Sequence, residues 1–364
     1  MHNRLVAFAP GRVEILGNHT DYNEGVVLSA AIDRGVTVFA HRLLERKVEV
    51  SSATNQRTAI VDLDSIGPST AEPWANYCFG VIQELIHAGL ATDGLNIRID
   101  SNLPVGAGLS SSAALEVATA YATIALANGS MDPMEIAKLC QKAENDFVGV
   151  KCGLLDQASS VFGEDNKAIL LDFRSITAET WLLPAGVSLL LLNSGMPHTL
   201  VGGEYNERRQ QCAQAAAGLN VRALRDATSA QVLSSRLDPM IKRRALHITG
   251  ENERVFAGKA ALQAGDAAAF GQLMYASHES SRVNFENSTA YLDTLVDIAR
   301  TVDGVIGSRL TGGGFGGSTV SLIRTERSAE IVAATQERYF KATGAKCSPI
   351  LTRPSQGARL LQQD

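Results

Sequence analysis

No stretch of the chain approaches the roughly 18 consecutive apolar residues that a bilayer-spanning helix requires, so a membrane partner is not expected. The first ten residues carry no basic segment followed by an apolar run, and a secretory leader is not expected either. Cysteine is scarce: Cys78, Cys140, Cys152, Cys212 and Cys347 are scattered, odd in number and without a C-x-x-C pair. That spacing argues against a disulfide framework or a zinc site and for reduced thiols in a cytoplasmic protein. There is no basic excess: 33 Lys and Arg against 38 Asp and Glu give a net charge of −5 and a pI of about 5.9. Nucleic acid and anionic membrane are thus not indicated, although a nucleotide would need only local positive charge. Low-complexity blocks, long linkers and internal repeats are missing as well. So is any G-x-x-x-x-G-K-[ST] sequence, which excludes a Walker loop.

What remains is an ordinary globular composition, 45% hydrophobic and 20% charged over 364 residues. That length suits two domains. Residues 94–100 alternate Leu95, Ile97 and Ile99 with polar neighbours, which predicts a half-buried strand; 47–50 alternate similarly. The short, nearly continuous apolar run 187–192 predicts a strand buried on both faces. A helix is expected from 113 to about 128, ended by Gly129. Another begins at Asp132, with Pro133 in the first turn and Glu135 completing a capping-box-like start. Its apolar face is Ile136, Leu139, Cys140, Ala143 and Phe147. Segments 204–217, 239–263 and 266–282 read as helices, followed by a glycine-rich turn and a strand over 318–323. The expected division is 1–190 and 191–364, both halves α+β.

Three segments carry chemistry. Residues 104–112, PVGAGLSSS, lie between a strand and a helix, where glycines admit an anion to the backbone and free helix amides point at it. The alternative is a flexible turn with a serine-rich cap. The G-x-G-x-x-G match at Gly312, Gly314 and Gly317 precedes a strand and not a helix, so it is a tight turn or a close approach to a ligand rather than a dinucleotide fingerprint. Residues 11–22 are dense in hydrogen-bonding side chains, as a polyhydroxylated ligand requires, or form an ordinary polar loop. Glu144 sits at the edge of the helix face near Cys140, either a shielded surface charge or a partly buried functional group. Asp156, a lone acid among apolar residues, reads on its own as a helix N-terminal acid before a catalytic base.

GRVEILGNHTDYN at 11–23, PVGAGLSSSAALEVAT at 104–119 and GSRLTGGGFGGSTV at 307–320 together resemble the GHMP kinases, in family order. WANY at 74–77, AENDFVGVKCGLLDQ at 143–157, EYNERRQQC at 204–212 and RPSQGARLL at 353–361 resemble the galactokinases among them. The resemblance spans nearly the whole chain. It implies an α+β two-domain fold, the first domain with a left-handed β-α-β unit and the second ferredoxin-like. It also implies ATP-dependent phosphorylation of the anomeric hydroxyl of galactose, with magnesium. Asp156 matches the catalytic base and Arg12 the arginine beside it. Ser112 and Glu144 match magnesium ligands. Gly106, Gly108, Ser110 and Ser111 match the phosphate cradle, and Trp74 belongs to the ATP-binding set. Asn18, His19, Asp21, Tyr205 and Gly153 match sugar-contacting positions. The implied partners are a sugar and ATP, in a monomer or weak homodimer.

Asn18 departs from the family, where Glu is usual and contacts the sugar's primary hydroxyl; Asn donates and accepts but carries no charge. Ala107 replaces part of a longer glycine run. Kinases of related sugars, such as N-acetylgalactosamine or arabinose, therefore stay open beside galactose. A non-catalytic sugar and ATP sensor is disfavoured by the intact serine loop and Asp156.

Overall fold

The computed structural model describes residues 4–104, 108–196 and 203–361. Among these, twelve strands form two sheets. The first contains β1 (Leu5–Leu16), β2 (Val26–Leu43), β3 (Lys47–Ser52), β4 (Arg57–Asp62), β5 (Gly94–Ser101), β6 (Lys167–Asp172) and β7 (Thr177–Leu182). The second contains β8 (Val187–Asn193), β9 (Val305–Thr311), β10 (Ser318–Arg324) and β11 (Ser348–Thr352). The last strand, β12 (Arg359–Leu361), returns to the first sheet and pairs with β1. The expected division at residue 190 falls inside β8, which lies wholly in the second sheet; the chain changes sheets between Leu182 and Val187.

β2 is the spine of the first sheet. It pairs with β1 along most of its length, with β6 through Val26–Ser29 and with β5 through Val36–Leu43. β3 and β5 pair in parallel, joined through β4 and α1 (Asn76–His87), which makes a β-α-β connection. α2 (Ser111–Leu126), α3 (Pro133–Lys142) and α4 (Leu155–Val161) complete this half. The second sheet is antiparallel in the order β11-β8-β10-β9, the strand order of a ferredoxin-like fold. As its nearly continuous apolar sequence predicts, β8 lies between two partners with its central five residues buried. α5 (Gly203–Gly218), α6 (Ser229–Ser234), α7 (Pro239–Ala264), α8 (Ala267–Ser280) and α9 (Ala290–Thr301) precede β9, and α10 (Ser328–Thr343) links β10 to β11.

Local signals explain the helix ends that matter. Asp132 accepts hydrogen bonds from the backbone of Met134 (2.8 Å) and Glu135 (3.4 Å), and Pro133 occupies the first turn. The capping box is half formed: the Glu135 side chain meets Lys138 at 2.8 Å. Beyond α3 the chain widens into a π-helical turn, Ala143–Val148, closed by Gly149 at φ 87°. One apolar core runs through both halves, from Val13, Leu28 and Val117 to Val255, Phe270 and Leu322.

α8 lies directly on β9 at two glycines. A Cβ on Gly307 would come 2.5 Å from the Gly271 Cα, and one on Gly271 would come 2.1 Å from the Ile306 carbonyl. Gly307→Ala is expected to push helix and strand apart at a cost of about 1–3 kcal/mol, lowering the thermal unfolding midpoint with the circular dichroism spectrum retained. An unchanged midpoint would show that this contact is not under such constraint.

Candidate active site

Register shifts in the β1–β2 pairing fall between Pro10 and Arg12 and between Glu14 and Leu16. Bulges re-aim side chains, and here Arg12 and Glu14 both face a cavity of about 630 Å³. Arg12 gathers three distant segments. Its Nε donates to Asp156 Oδ1 at 2.7 Å, its Nη2 reaches the same oxygen at 2.6 Å, and its Nη1 donates to the Gly108 carbonyl at 2.8 Å. The other Asp156 oxygen accepts from Ser110 Oγ at 2.6 Å. Asp156 stands in the first turn of α4, so it is a helix N-terminal acid and a cavity-facing carboxylate at once. A smaller cavity, about 170 Å³, opens between Gly108, Ser110 and the glycine turn at 312–317, and is lined by Arg12 and Asp156 too. Asp156 therefore sits where the two spaces meet.

The serine loop leads into the open end of α2. Ser110 holds a left-handed conformation at φ 56°, and no side chain caps the helix amides. Unpaired amides at a helix start favour anions. Ser111 is exposed there, and the Ser112 hydroxyl lies beside the Glu144 carboxylate. The π-helical turn carries Glu144 inward, where it is 5% exposed. Its Oε2 also accepts from Gln157 Nε2 at 2.7 Å and Cys152 Sγ at 3.1 Å. Burial raises the Glu144 carboxyl, while the Cys152, Ser112 and Gln157 donors pull it down. A hydroxyl and a carboxylate side by side at an uncapped helix start fit magnesium, which takes oxygen ligands and only one or two carboxylates when bound with phosphates. Gly106 and Ala107 lie outside the described residues. Trp74 lines neither cavity; its indole N–H donates to Glu72.

The remaining candidates converge on the larger cavity: Asn18, His19, Asp21, Gly153 and Tyr205 all line it. Asn18 is fully buried, with partners at both ends of its amide. Its Nδ2 donates to Glu14 Oε1 at 2.9 Å and to the Gly312 carbonyl at 2.8 Å, and its Oδ1 accepts from Asn287 Nδ2 at 2.8 Å. His19 donates from Nε2 to the Gly313 carbonyl (2.9 Å) and accepts at Nδ1 from the Tyr22 hydroxyl (2.8 Å). Burial holds this ring neutral, lowered to about 4. The Asp21 carboxyl is pushed up to about 7 by burial and then by the charge on Glu14. A Cβ on Gly153 would fall 2.3 Å from Asp21 Oδ2, so only glycine leaves room for that carboxylate. The Tyr205 ring stands 5.2 Å from that of His19.

Sequence reading missed the supports of this wall. Glu251 of α7 accepts at 2.8 Å from the backbone amides of both Gly17 and Asn18. Burial opposes its charge, but Arg254, His247 and Arg309 hold it well below the usual carboxylate range. His247 donates to the Asn18 carbonyl at 3.1 Å, and Asn287 bridges Asn18 to the Gly313 carbonyl. These residues lie more than 220 positions from the loop they hold, with no local signal.

Sequence profiles fall on the same regions. "GHMP kinases N terminal domain" matches residues 76–164, "GHMP kinases C terminal" matches 259–342, and "Galactokinase galactose-binding signature" matches 2–42. The galactokinase of Chloroflexus aggregans is 42% identical over 363 residues, covering 97% of this chain and 92% of its own. The chain belongs to the galactokinase family of GHMP kinases. A Roseiflexus galactokinase is 41% identical over 98% of the chain and 93% of its own. The Lactococcus lactis galactokinase structure, complexed with galactose, superposes with a TM-score of 0.94 at 32% identity, covering 99% of this chain and 95% of that one. Methanococcus jannaschii mevalonate kinase, at 19% identity and a TM-score of 0.70 over 98% of this chain and 99% of that one, shares the fold.

Raising Asp21 from its ordinary 3.8 to about 7 has a signed consequence. Between those values the folded protein keeps a proton that the unfolded chain releases, so this group's contribution to stability falls as pH rises through the window. Asp21→Asn is expected to raise the unfolding midpoint by a few °C at pH 8 and to leave it nearly unchanged at pH 4. Equal effects at both pH values would show that Asp21 is not a buried, strained charge.

Proposed function

We propose that the chain transfers the terminal phosphoryl group of ATP to the anomeric hydroxyl of galactose, giving galactose 1-phosphate. The observation that carries this reading is the placement of Asp156 at the junction of the two cavities, held by Arg12 and Ser110. In this reading the sugar occupies the larger space and the phosphates the smaller. Asp156 takes the proton from the anomeric hydroxyl as that oxygen bonds to the γ-phosphorus and the bond from phosphorus to the β,γ-bridging oxygen breaks, releasing ADP. Arg12 keeps that carboxylate oriented and offsets charge that builds on the phosphoryl oxygens. Asn18, His19, Asp21, Gly153 and Tyr205 form the sugar wall. Gly106, Gly108, Ser110, Ser111 and the open start of α2 receive phosphates, and Trp74 is the candidate contact for ATP beyond them. Ser112 and Glu144 would hold magnesium, which neutralises phosphate charge when bound. The phosphate and acid motifs fall in the unit assigned to 1–190, and the glycine turn in that assigned to 191–364. Reduced thiols and a slight acidic excess support a cytoplasmic enzyme without nucleic-acid or membrane partners, a monomer or weak homodimer. Among the described residues no helix is long and apolar enough to cross a membrane.

The test is ADP release from magnesium-ATP with galactose, N-acetylgalactosamine, arabinose and glucose, run beside Asp156→Asn. Galactose is expected to turn over fastest, and Asp156→Asn to lose about 10²–10⁴-fold in turnover while still binding sugar and ATP. Turnover with another sugar alone would overturn the substrate; undiminished turnover in the variant would remove Asp156 as base. For Glu144→Ala, the magnesium concentration giving half-maximal rate is expected to rise about tenfold. An unaltered magnesium titration would take Glu144 out of the metal site.

A further inference from the structure

We propose that Glu14, rather than Asn18, presents the hydrogen-bond acceptor to one sugar hydroxyl on this wall of the cavity; the proposal rests on the galactose reading above. Asn18 has little left to offer a ligand. Both its N–H groups and its carbonyl oxygen are engaged by Glu14, Gly312 and Asn287, and the residue is fully buried. Glu14 is different. It lines the cavity and is 4% exposed. Two donors reach it, Asn18 Nδ2 at 2.9 Å and Arg309 Nη2 at 3.1 Å, and both end on the same oxygen, Oε1. Among the described residues no donor reaches Oε2, and that oxygen is not among the sealed polar atoms without partners.

The chemistry follows from that asymmetry. A carboxylate has about four acceptor positions, and a buried ion pair is costly unless its remaining lone pairs are matched. Arg309 and Asn18 anchor one oxygen and so turn the other toward the cavity. The Glu14 backbone is fixed as well: its N–H donates to Thr311 Oγ1 at 3.1 Å, and that hydroxyl donates to the Glu14 carbonyl at 3.0 Å. A sugar hydroxyl donating to Oε2 would give that oxygen a partner. Asn18 is then a positioning residue for Glu14.

The experiment compares galactose with its 2-, 3-, 4- and 6-deoxy analogues, in the unaltered enzyme and in Glu14→Gln. For each analogue the quantity is kcat/KM relative to galactose. The proposal expects a strong penalty for one particular analogue in the unaltered enzyme, shrinking about tenfold in Glu14→Gln. The ratios for the other three should stay within about threefold. A uniform fall across all five sugars would mark Glu14 as structural only and overturn the proposal. Glu14→Gln leaves Arg309 without its charge partner; if it does not fold, Glu14→Gln/Arg309→Gln and Glu14→Asp carry the same comparison. An unchanged pattern of ratios in every folded variant overturns Glu14 and leaves the galactose reading standing. Absence of galactose turnover in the unaltered enzyme overturns that reading and this one together.

Discussion

Arg12 is the interaction on which the site depends. One guanidinium, held by a bulged strand, binds the Asp156 carboxylate at the start of α4 and the Gly108 carbonyl in the serine loop. Those three segments are separated by 96 and 144 residues in the chain. Arg12 is buried, while the Asp156 side chain keeps 27% of its surface open toward the cavities. The planar fork explains why lysine would not serve: a single ammonium cannot hold a carboxylate and a carbonyl in fixed directions at once. With Ser110 on the second carboxylate oxygen, Asp156 is positioned before any ligand arrives, the preorganisation that phosphoryl transfer rewards.

The second unit of the chain finishes what the first begins. The loop after β1 carries the sugar-wall residues, yet its amides are held by Glu251 and one of its carbonyls by His247, both on α7. The glycine turn between β9 and β10 meets the same loop with its carbonyls, at Asn18 and His19. Backbone polar groups buried at such a seam must find partners, and here they find them across the two sheets. The continuous apolar core says the same in packing terms: the halves are not separately closed bodies.

Sequence reading reached what is local or repeated. The apolar run of β8, the alternation of β5, the Asp132–Pro133 helix start and the glycine-rich segments each carry their cause within a few residues. So does Asp156 as a helix N-terminal acid. What was not legible depends on distance. No pattern in 11–23 shows that Asn18 is held by Glu14, Gly312 and Asn287, or that Glu251 lies beneath the loop. Within Ala143–Val148 no glycine or proline announces the π-helical widening that sends Glu144 inward, and Gly149 marks only where it ends. Which sheet β8 joins was not legible either, because its pairing with β10 and β11 depends on segments more than 120 residues away.

The return of β12 to the first sheet gives assembly an order in time. β1 lies between β2 and β12, so on emergence from the ribosome it pairs on one side only, its other edge waiting for residues 359–361. Open strand edges are templates for association with other chains, and domains of growing chains fold as units, the N-terminal one first. In this protein the N-terminal unit cannot close on its own schedule. Until residues 359–361 are available to pair with Val6–Phe8, an unsatisfied edge stays open on the same strand that holds Arg12 and Glu14.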